Sequence, residues 1–375
     1  MHIKSVSTFN IFGASESRTI ELKSPVVIFT GYNGAGKSTL LGVIHSSLSV
    51  AKGQEYLFPK TDWGCKIQFA DDVEFMHVKT SRILPDDFDA SSTANRKIKG
   101  RDVLKEFYEN IQKRFEGKET KNKLIVKREG DGRDPSSTNV MALRPPQMEA
   151  IKSWPSSVLY GDEVFSSKLD DLESKKFEDL DIFSKKKNLD KTFFLLQSEF
   201  ASETKLGAVG SVTSELVSVI EQTIGIMKKI GTSNPKLQEQ VSLLEKLRNS
   251  QVESNPFIQQ ANIFFASTKR ELKVGAKGFL ILSTAHGDVS WYDFSKGEKT
   301  LLCLLLVAYL ARKEKTLFLL DEPDLSLHIR WQRQLLPSLK KLAPDAQFVV
   351  ATHSPALVGQ TDDEAVINIG AMSKG

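Results

Sequence analysis

The stretch Gly31-Tyr-Asn-Gly-Ala-Gly-Lys-Ser-Thr39 decides the fold class of this 375-residue chain. A glycine, four further residues and Gly-Lys-Ser form the phosphate-loop pattern. The preceding run, Pro25 to Thr30, is short, apolar and rich in β-branched residues, which predicts a buried strand. After the loop, apolar residues recur at helical spacing as far as Leu48. Strand, glycine loop and helix occur in the order that the motif requires, and together they predict an α/β fold.

The residue types of the loop suit phosphate chemistry. Glycines allow backbone N–H groups to turn towards phosphate oxygens, and the following helix adds the partial positive charge of its N-terminus. Lys37 can reach the β- and γ-phosphates, and Ser38 can place its hydroxyl on Mg²⁺. We therefore predict that ATP, with Mg²⁺, is bound by the loop residues Gly31, Asn33, Gly34, Gly36, Lys37, Ser38 and Thr39. The alternative is a glycine turn that only joins a strand to a helix.

The composition is that of an ordinary water-soluble chain. It is 40% apolar and 26% charged, and its net charge of +4 is too small to indicate a nucleic-acid ligand by itself. Cys65 and Cys303 lie far apart and form no metal or disulfide framework, which predicts a reducing compartment, the cytoplasm. No signal peptide is visible at the start. The most apolar run, Leu301 to Ala311, is too short to span a bilayer and predicts a buried helix.

A second cluster of chemistry follows a later apolar run. Thr316 to Leu320 predicts a buried strand, and Asp321 and Glu322 come directly after it. Open α/β sheets bind ligands at the carboxyl ends of their strands, so this is a Walker B pattern. We predict that Asp321 holds Mg²⁺ and that the catalytic residue Glu322 polarises the attacking water. Carboxylates after strands also occur as simple helix caps, which is the alternative.

His353 is the second candidate catalytic residue. It follows another predicted buried strand, Gln347 to Ala351, and therefore lies at the same edge of the sheet as the Walker B carboxylates. There it can hydrogen-bond a γ-phosphate. A histidine in this position, taken alone, is more often structural.

The middle of the chain carries fewer signals. Residues 96–133 hold thirteen Lys or Arg against seven Asp or Glu. Arg101 to Phe115 predicts an amphipathic helix, and Gly130 to Ser137 predicts a loop. This basic stretch favours DNA as a partner, and the alternative is a plain solvated face. Residues 163–270 are mostly helical in pattern, with near-heptad spacing between 237 and 247 that is too short for a long coiled coil.

These pieces together resemble the ABC-type ATPases. Ser295-Lys-Gly-Glu298 stands where that family has its signature motif, Asp324 begins its D-loop, and His353 matches its switch histidine. The order of the motifs is similar to the Rad50/SMC/RecF branch. Glu322-Pro-Asp-Leu-Ser-Leu-His328 is most similar to the OLD-like ATPases of bacterial antiphage systems, including the Septu- and PARIS-type subunits. The match departs from the family at Phe294 and Lys296 of the signature.

The resemblance implies an architecture. It implies an ABC-type ATPase head, with a mixed sheet and a parallel sheet that carries the phosphate loop, interrupted by a helical insertion. The N-terminal half of the head would cover residues 1–95 and a basic insertion of helix and strand would cover 96–160. A helical, short coiled-coil-like insertion would cover 161–270. The C-terminal half, with the signature, Walker B and switch histidine, would cover 271–375.

The resemblance also implies a mechanism. Two subunits would enclose ATP head to tail, so that Ser295, Gly297, Glu298 and Asp324 contribute to nucleotide binding. The chain would then be an ATPase that forms a homodimer or a higher homo-oligomer and controls an effector. Only twenty residues follow Pro355, so we expect the effector, a Toprim or HNH nuclease or a toxin, to be a separate chain. A membrane partner is not expected.

Two other functions remain open at this stage. The same motifs would serve a nucleotide-gated scaffold that sequesters an effector with little turnover. They would also serve a DNA-repair ATPase similar to RecF or SMC, for which DNA is the partner. Steady-state turnover, measured with and without a partner and DNA, would separate these functions.

Overall fold

The computed structural model describes residues 2–9, 11, 18–52, 63–70, 73–80, 123–131, 134–144, 151, 154–161, 164–166, 188–209, 255–275 and 278–370. The chain forms two compact units. The first unit comprises Met1–Lys176, Glu314–Asp324 and Asp345–Gly375, and the second comprises Phe177–Lys313 and Leu325–Pro344. The division of the chain into four segments stays a prediction.

The strands of the described residues are β1 (Ile3–Phe9), β2 (Arg18–Glu21), β3 (Val26–Thr30), β4 (Trp63–Phe69), β5 (Glu74–Thr80), β6 (Lys123–Asp131), β7 (Asp134–Arg144), β8 (Ser156–Gly161), β9 (Val164–Ser166), β10 (Glu271–Val274), β11 (Leu280–Thr284), β12 (Gly287–Ser290), β13 (Thr316–Asp321), β14 (Gln347–Ala351) and β15 (Val366–Asn368). Their helices are α1 (Lys37–Ala51), α2 (Asn188–Val209), α3 (Pro256–Phe265), α4 (Lys296–Leu310), α5 (Ile329–Leu342) and α6 (Pro355–Val358).

The first unit contains the sheet that carries the phosphate loop. Its six strands have the order β15-β3-β14-β13-β8-β9, and the first five run parallel, while β9 is antiparallel to β8. The register aligns Phe29 with Ala351 and Ala351 with Asp321. Because parallel strands end at one edge of a sheet, the segments that follow β3, β14 and β13 lie together there. The predicted α/β fold is confirmed.

A second sheet of the first unit is antiparallel throughout, with the order β2-β1-β4-β5-β7-β6. The side-chain amide of Gln347 joins the two sheets. It accepts from the backbone N–H of Ile3 at 2.9 Å and donates to the carbonyl of Ile3 at 2.9 Å. Apolar residues of both sheets and of α1 form one core, which includes Phe29, Leu41 and Ile67.

Two predictions for the middle of the chain have different outcomes. Residues 130–137, which the sequence predicts to be a loop, mostly belong to the hairpin of β6 and β7. That loop prediction is wrong because a hairpin needs only a few turn residues. The helix predicted at 101–115 and the heptad pattern at 237–247 lie outside the described residues.

The second unit is built around the apolar helix α4. The helices α2, α3 and α5 pack against it, and a three-stranded antiparallel sheet, β10-β11-β12, completes the unit. All α4 residues from Glu298 to Tyr309 are buried, which explains why the run is apolar on every side. The buried helix predicted over Leu301 to Ala311 is therefore observed. It extends from Lys296 to Leu310, so it begins five residues before the apolar run.

Ion pairs connect α2 to the two ends of α4. The ammonium of Lys299 lies 2.6 Å from the carboxylate of Asp190, and the guanidinium of Arg312, just beyond α4, lies 2.9 Å from Glu203. Lys299 also donates to the carbonyl of Tyr292 at 2.9 Å. In the part of the chain that the structure describes, no helix is both long enough and apolar enough to cross a membrane.

Candidate nucleotide site

The glycine loop adopts a conformation that side chains disfavour. Gly31, Gly34 and Gly36 have φ angles of 140°, 83° and 91°, in the region where glycine is strongly preferred. At Gly31 a Cβ atom would also lie 2.9 Å from the backbone nitrogen of Gly370. Gly36 caps α1, so the helix begins at Lys37, as the motif predicts. The loop therefore leads directly into a helix N-terminus, which favours anions.

The side chain of Lys37 lies within the first unit and is 6% exposed. Its Nζ donates to the carbonyl oxygens of Gly31 at 3.2 Å and of Tyr32 at 3.5 Å. It is also 2.7 Å from the Nε2 of His353. The loop lysine and the predicted switch histidine are thus in direct contact.

Glu322 lies beside the same histidine. Its Oε1 is 3.6 Å from the Nε2 of His353, and its backbone N–H donates to the carbonyl of Ala351 at 2.8 Å. The φ angle of Glu322 is 47°, which is unusual for a residue other than glycine and turns the chain sharply after β13. Burial raises the pKa of Glu322, and the charge of Asp324 acts in the same direction, while His353 and Lys37 oppose it.

Asp321 ends β13 in the same row of the sheet as Ala351. Gly161, at the end of the neighbouring strand β8, lies beside it, and a Cβ at Gly161 would be 3.6 Å from the Cβ of Asp321.

Asp324 makes a contact that the sequence did not indicate. Its side chain is 6% exposed, and its Oδ1 accepts from the hydroxyl of Thr352 at 2.5 Å. The same hydroxyl accepts from the backbone N–H of Ser354 at 2.9 Å. Thr352 and Ser354 flank His353, so the hydrogen bond from Thr352 to Asp324 helps to hold the segment that carries the histidine in place. The only sequence signal for Thr352 was its place between a buried strand and His353.

The predicted signature residues lie in the second unit, where they form the start of α4. The hydroxyl of Ser295 accepts from the N–H of Glu298 at 3.3 Å, and the carboxylate of Glu298 accepts from the N–H of Ser295 at 2.7 Å. This is a capping box. Glu298 is 6% exposed and also pairs with Arg270. Ser295 is exposed, and it caps its own helix.

Gly297 has a packing reason to be glycine. A Cβ at this position would lie 2.5 Å from the carbonyl oxygen of Ser326, in the segment that precedes α5. That distance is shorter than any ordinary contact, so only glycine fits between α4 and this carbonyl. The nucleotide-binding roles of Ser295, Gly297 and Glu298 stay predictions.

The predicted Mg²⁺ ligands have suitable chemistry. Ser38 is exposed on the first turn of α1, and the carboxylate of Asp321 stands at the carboxyl end of β13. Among the described residues, no three His, Cys, Asp or Glu side chains are grouped to hold a metal ion. Mg²⁺ bound with a nucleotide needs only one or two protein ligands, because phosphates and waters supply the rest. A hydroxyl and a carboxylate fit that requirement.

The fold and the site define an α/β nucleotide-binding protein of the phosphate-loop class, and comparison with known families agrees. Residues 1–260 match the family described as AAA domain, and the chain belongs to this family. Residues 214–359 match a second family, described as AAA domain, putative AbiEii toxin, Type IV TA system. The prediction that the chain belongs to the phosphate-loop ATPase families is thereby confirmed.

Several curated proteins are similar to parts of the chain. The Retron Vc95 probable ATPase of Vibrio cholerae serotype O1 biovar El Tor is 25% identical over 173 residues, which are 42% of this chain and 33% of that protein. The Retron Ec83 probable ATPase of Escherichia coli is 34% identical over 100 residues, 23% of this chain and 18% of that protein. The Septu protein PtuA of Bacillus thuringiensis is 29% identical over 104 residues, 24% of this chain and 26% of that protein.

The matched region therefore spans a third or less of the length of these relatives. With the family match, they confirm the predicted resemblance to the ATPases of antiphage systems. Among solved structures, the SMC head domain from Thermotoga maritima is 14% identical with a TM-score of 0.41, over 96% of this chain and 93% of that one.

Proposed function

We propose that this chain is an ATP-hydrolysing subunit that dimerises around ATP and controls a separately encoded effector in antiphage defence. The observation that carries the proposal is the meeting of Lys37, Glu322 and His353, which are far apart in the sequence. Nζ of Lys37 is 2.7 Å from Nε2 of His353, which is 3.6 Å from Oε1 of Glu322. A cation, a carboxylate and an imidazole are the groups that hydrolysis of a γ-phosphate needs.

Each of the three groups has a role in the proposed reaction. Lys37 and the N–H groups of the glycine loop hold the β- and γ-phosphates. Glu322, as a carboxylate, orients the water that attacks the γ-phosphorus while the bond to the β-phosphate oxygen breaks, so that ADP and phosphate leave. The raised pKa of Glu322 makes it a stronger base than an exposed glutamate. His353 hydrogen-bonds an oxygen of the γ-phosphate.

Ser38 and Asp321 would hold Mg²⁺ in this site. When bound there, the ion neutralises charge on the phosphate oxygens.

The dimer is the second element of the proposal. Ser295 is exposed at the N-terminus of α4, which carries a partial positive charge suited to a phosphate of a second subunit. Gly297 keeps that N-terminus free of a side chain. Glu298 and Asp324 would then act indirectly, since Glu298 is engaged in the capping box and Asp324 braces the segment of His353. Closure around ATP would be a population shift that hydrolysis reverses.

The defence role rests on the relatives, two of which are named as retron ATPases and one as a Septu protein. We propose that the effector is a Toprim or HNH nuclease or a toxin carried on another chain, and that the assembly works in the cytoplasm. Neighbouring genes are the most direct check, because genes for recombination beside this one would favour DNA repair instead.

One observation favours a second candidate, a nucleotide-gated scaffold with slow turnover. The Lys37 ammonium already has three hydrogen-bond partners within the chain, namely the carbonyl oxygens of Gly31 and Tyr32 and the Nε2 of His353. A phosphate must displace one of them, and the contact of 3.5 Å with Tyr32 is the weakest. An ATPase rate that stays near background with every partner would favour the scaffold.

The experiment that tests the proposal mixes two inactive variants. Lys37→Ala removes the charge that holds the phosphates and should lose ATP binding, whereas the control Lys23→Ala changes an exposed lysine outside the site and should keep it. Ser295→Arg should keep ATP binding but lose hydrolysis and ATP-dependent dimerisation. A heterodimer of Lys37→Ala and Ser295→Arg has one site with both defects and one with neither, so turnover should return. A mixture that exchanges subunits and stays inactive would contradict the head-to-tail dimer.

A further inference from the structure

Helix α5 of the second unit carries an unusual set of charges. It contains four basic residues, Arg330, Arg333, Lys340 and Lys341, and no acidic residue in its fourteen positions. This excess of four positive charges equals the net charge of the whole chain, in which 51 basic residues face 47 acidic ones. All four basic residues are exposed. The helix therefore concentrates positive charge that the rest of the sequence balances.

The basic residues share one face of α5 because of their spacing. At about 100° per residue, Arg330, Arg333, Lys340 and Lys341 fall within about one third of the helix circumference. The exposed residues Gln334 and Pro337 lie in the same arc. We call these six positions the α5 basic stripe. Its ends are about 16 Å apart, at 1.5 Å rise per residue.

The opposite face of α5 fixes the helix to the second unit. Leu335, Leu336, Leu339 and Leu342 are buried. The indole N–H of Trp331 donates to the carbonyl of Phe264 at 3.0 Å, and its ring contacts those of Phe264 and Phe265. The leucine side is therefore buried in the fold, whereas Ile329 at the start of the helix is 50% exposed, and the stripe faces outward.

The stripe has no partner within the part of the chain that the structure describes. Several other basic residues of the second unit are paired, such as Arg270 with Glu298 and Lys299 with Asp190. No such ion pair with a carboxylate is formed by the four basic side chains of α5, within the described ranges. Four like charges on one helix face repel one another, which is unfavourable unless a polyanion binds there.

We propose that the α5 basic stripe binds the phosphate backbone of double-stranded DNA. Arginine, lysine and glutamine are the side chains that contact phosphates, and such contacts are independent of base sequence. A stripe of about 16 Å can reach several phosphates, because B-DNA carries one charge per 3.4 Å of helix axis on each of its two strands. This site differs from the basic stretch at 96–133, and it goes beyond the proposed function.

Other polyanionic partners fit the stripe less well. A protein interface usually has an apolar or aromatic centre and is depleted in lysine, whereas the stripe offers only Pro337 as an apolar group. A membrane surface would require the apolar face of the helix, which is buried in the second unit. Single-stranded nucleic acid is bound through aromatic stacking, and no aromatic residue belongs to the stripe. Duplex RNA is recognised mainly through its 2′-hydroxyls and shape, which a row of charges does not read.

The test uses the full chain and a 30-base-pair DNA duplex of arbitrary sequence, with binding followed by fluorescence anisotropy at several salt concentrations. Two variants neutralise the stripe in halves, Arg330→Gln/Arg333→Gln and Lys340→Gln/Lys341→Gln. The matched control, Lys4→Gln/Lys23→Gln, removes the same charge from two exposed lysines of the first unit. All changes are at exposed positions, so thermal melting should stay within a degree or two of the parent.

We expect each half-stripe variant to flatten the plot of log affinity against log salt by about 1.8, because each phosphate contact contributes about 0.9. Combining the halves should flatten it by about 3.6, and the control should leave it unchanged. The proposal would be overturned if the control flattened the salt plot as much as a half-stripe variant, or if the combined variant changed the slope by less than about 0.9. It would also be overturned if the parent bound no DNA, with or without ATP. Displacement by polyglutamate or duplex RNA as readily as by duplex DNA would overturn the choice of DNA.

Discussion

Replacing Thr352 by valine tests whether the brace between Asp324 and the segment of His353 serves catalysis. Valine has nearly the shape of threonine, so the change removes a hydroxyl without opening a cavity. Thr352 is fully buried, and its hydroxyl both donates to Asp324 at 2.5 Å and accepts from the N–H of Ser354 at 2.9 Å. After the change, a carboxylate that is 6% exposed and a buried N–H both lack this partner.

The size of the effect follows from these two contacts. Leaving a buried polar group without its partner costs about 1–3 kcal/mol, and more when the group is charged. The segment can relieve that cost by moving, which displaces His353 and the neighbouring Glu322. If this displacement raises the activation free energy by about 1.4–2.8 kcal/mol, kcat falls roughly 10- to 100-fold. The loop contacts of Lys37 and Ser38 are unchanged, so the Kd for ATP should change by less than about threefold.

The assay is steady-state ATP turnover together with equilibrium binding of ATP. Thr352→Ser is the matched control, because it keeps the hydroxyl and loses only a methyl group, and it should restore most of kcat. Thermal melting of both variants separates positioning from unfolding. A folded Thr352→Val protein with the kcat of the parent would refute the reasoning, and so would an equal loss of kcat in Thr352→Ser.

Three further predictions concern the same two units. Glu322→Gln should bind ATP but turn it over at least about 100-fold more slowly, since the amide cannot act as a base; near-parental turnover would move that role to another residue. Because the pKa of Glu322 is raised, kcat should fall as the pH decreases through that raised pKa, at a higher pH than for an exposed glutamate; a pH–rate profile shared by the parent and Glu322→Gln would contradict this. Gly297→Ala should destabilise the protein by about 1–3 kcal/mol in denaturant unfolding, because its Cβ would meet Ser326 O at 2.5 Å.

The meeting of the three side chains proposed for catalysis could be predicted from the sequence because each follows a short local pattern. Lys37 stands in a strand, glycine loop and helix, and Glu322 and His353 each follow a buried apolar run. In a parallel sheet the ends of such strands meet at one edge, so local patterns and one topological rule bring the three together. The capping box of Ser295 and Glu298 was also visible as a local signal three residues apart, and it would have set the start of α4 correctly.

Contacts that depend on how separate segments pack could not be predicted. Asp324 and Thr352 are 28 positions apart, and nothing in either local sequence specifies that their side chains meet. The approach of Gly297 to Ser326 likewise depends on packing between α4 and the segment before α5. Counting charges along the sequence pointed to residues 96–133, whereas in α5 the basic residues are interspersed with leucines and do not form a continuous basic stretch. Only the helical geometry and the burial of those leucines collect them on one face.

At the edge of the parallel sheet, hydrogen bonds connect the residues of the proposed nucleotide site to neighbouring segments. Lys37 contacts His353, and the flanking Thr352 is bonded to Asp324. A phosphate that takes over the ammonium of Lys37 must therefore change the surroundings of His353, and any shift of its segment reaches Asp324 through the hydroxyl of Thr352. Asp324 is the last residue of its segment in the first unit, and the chain continues from it directly into the second unit and α5. Residues 325–328 connect Asp324 to α5 along the chain, so we expect Thr352→Val to weaken any effect of ATP on DNA affinity along with kcat.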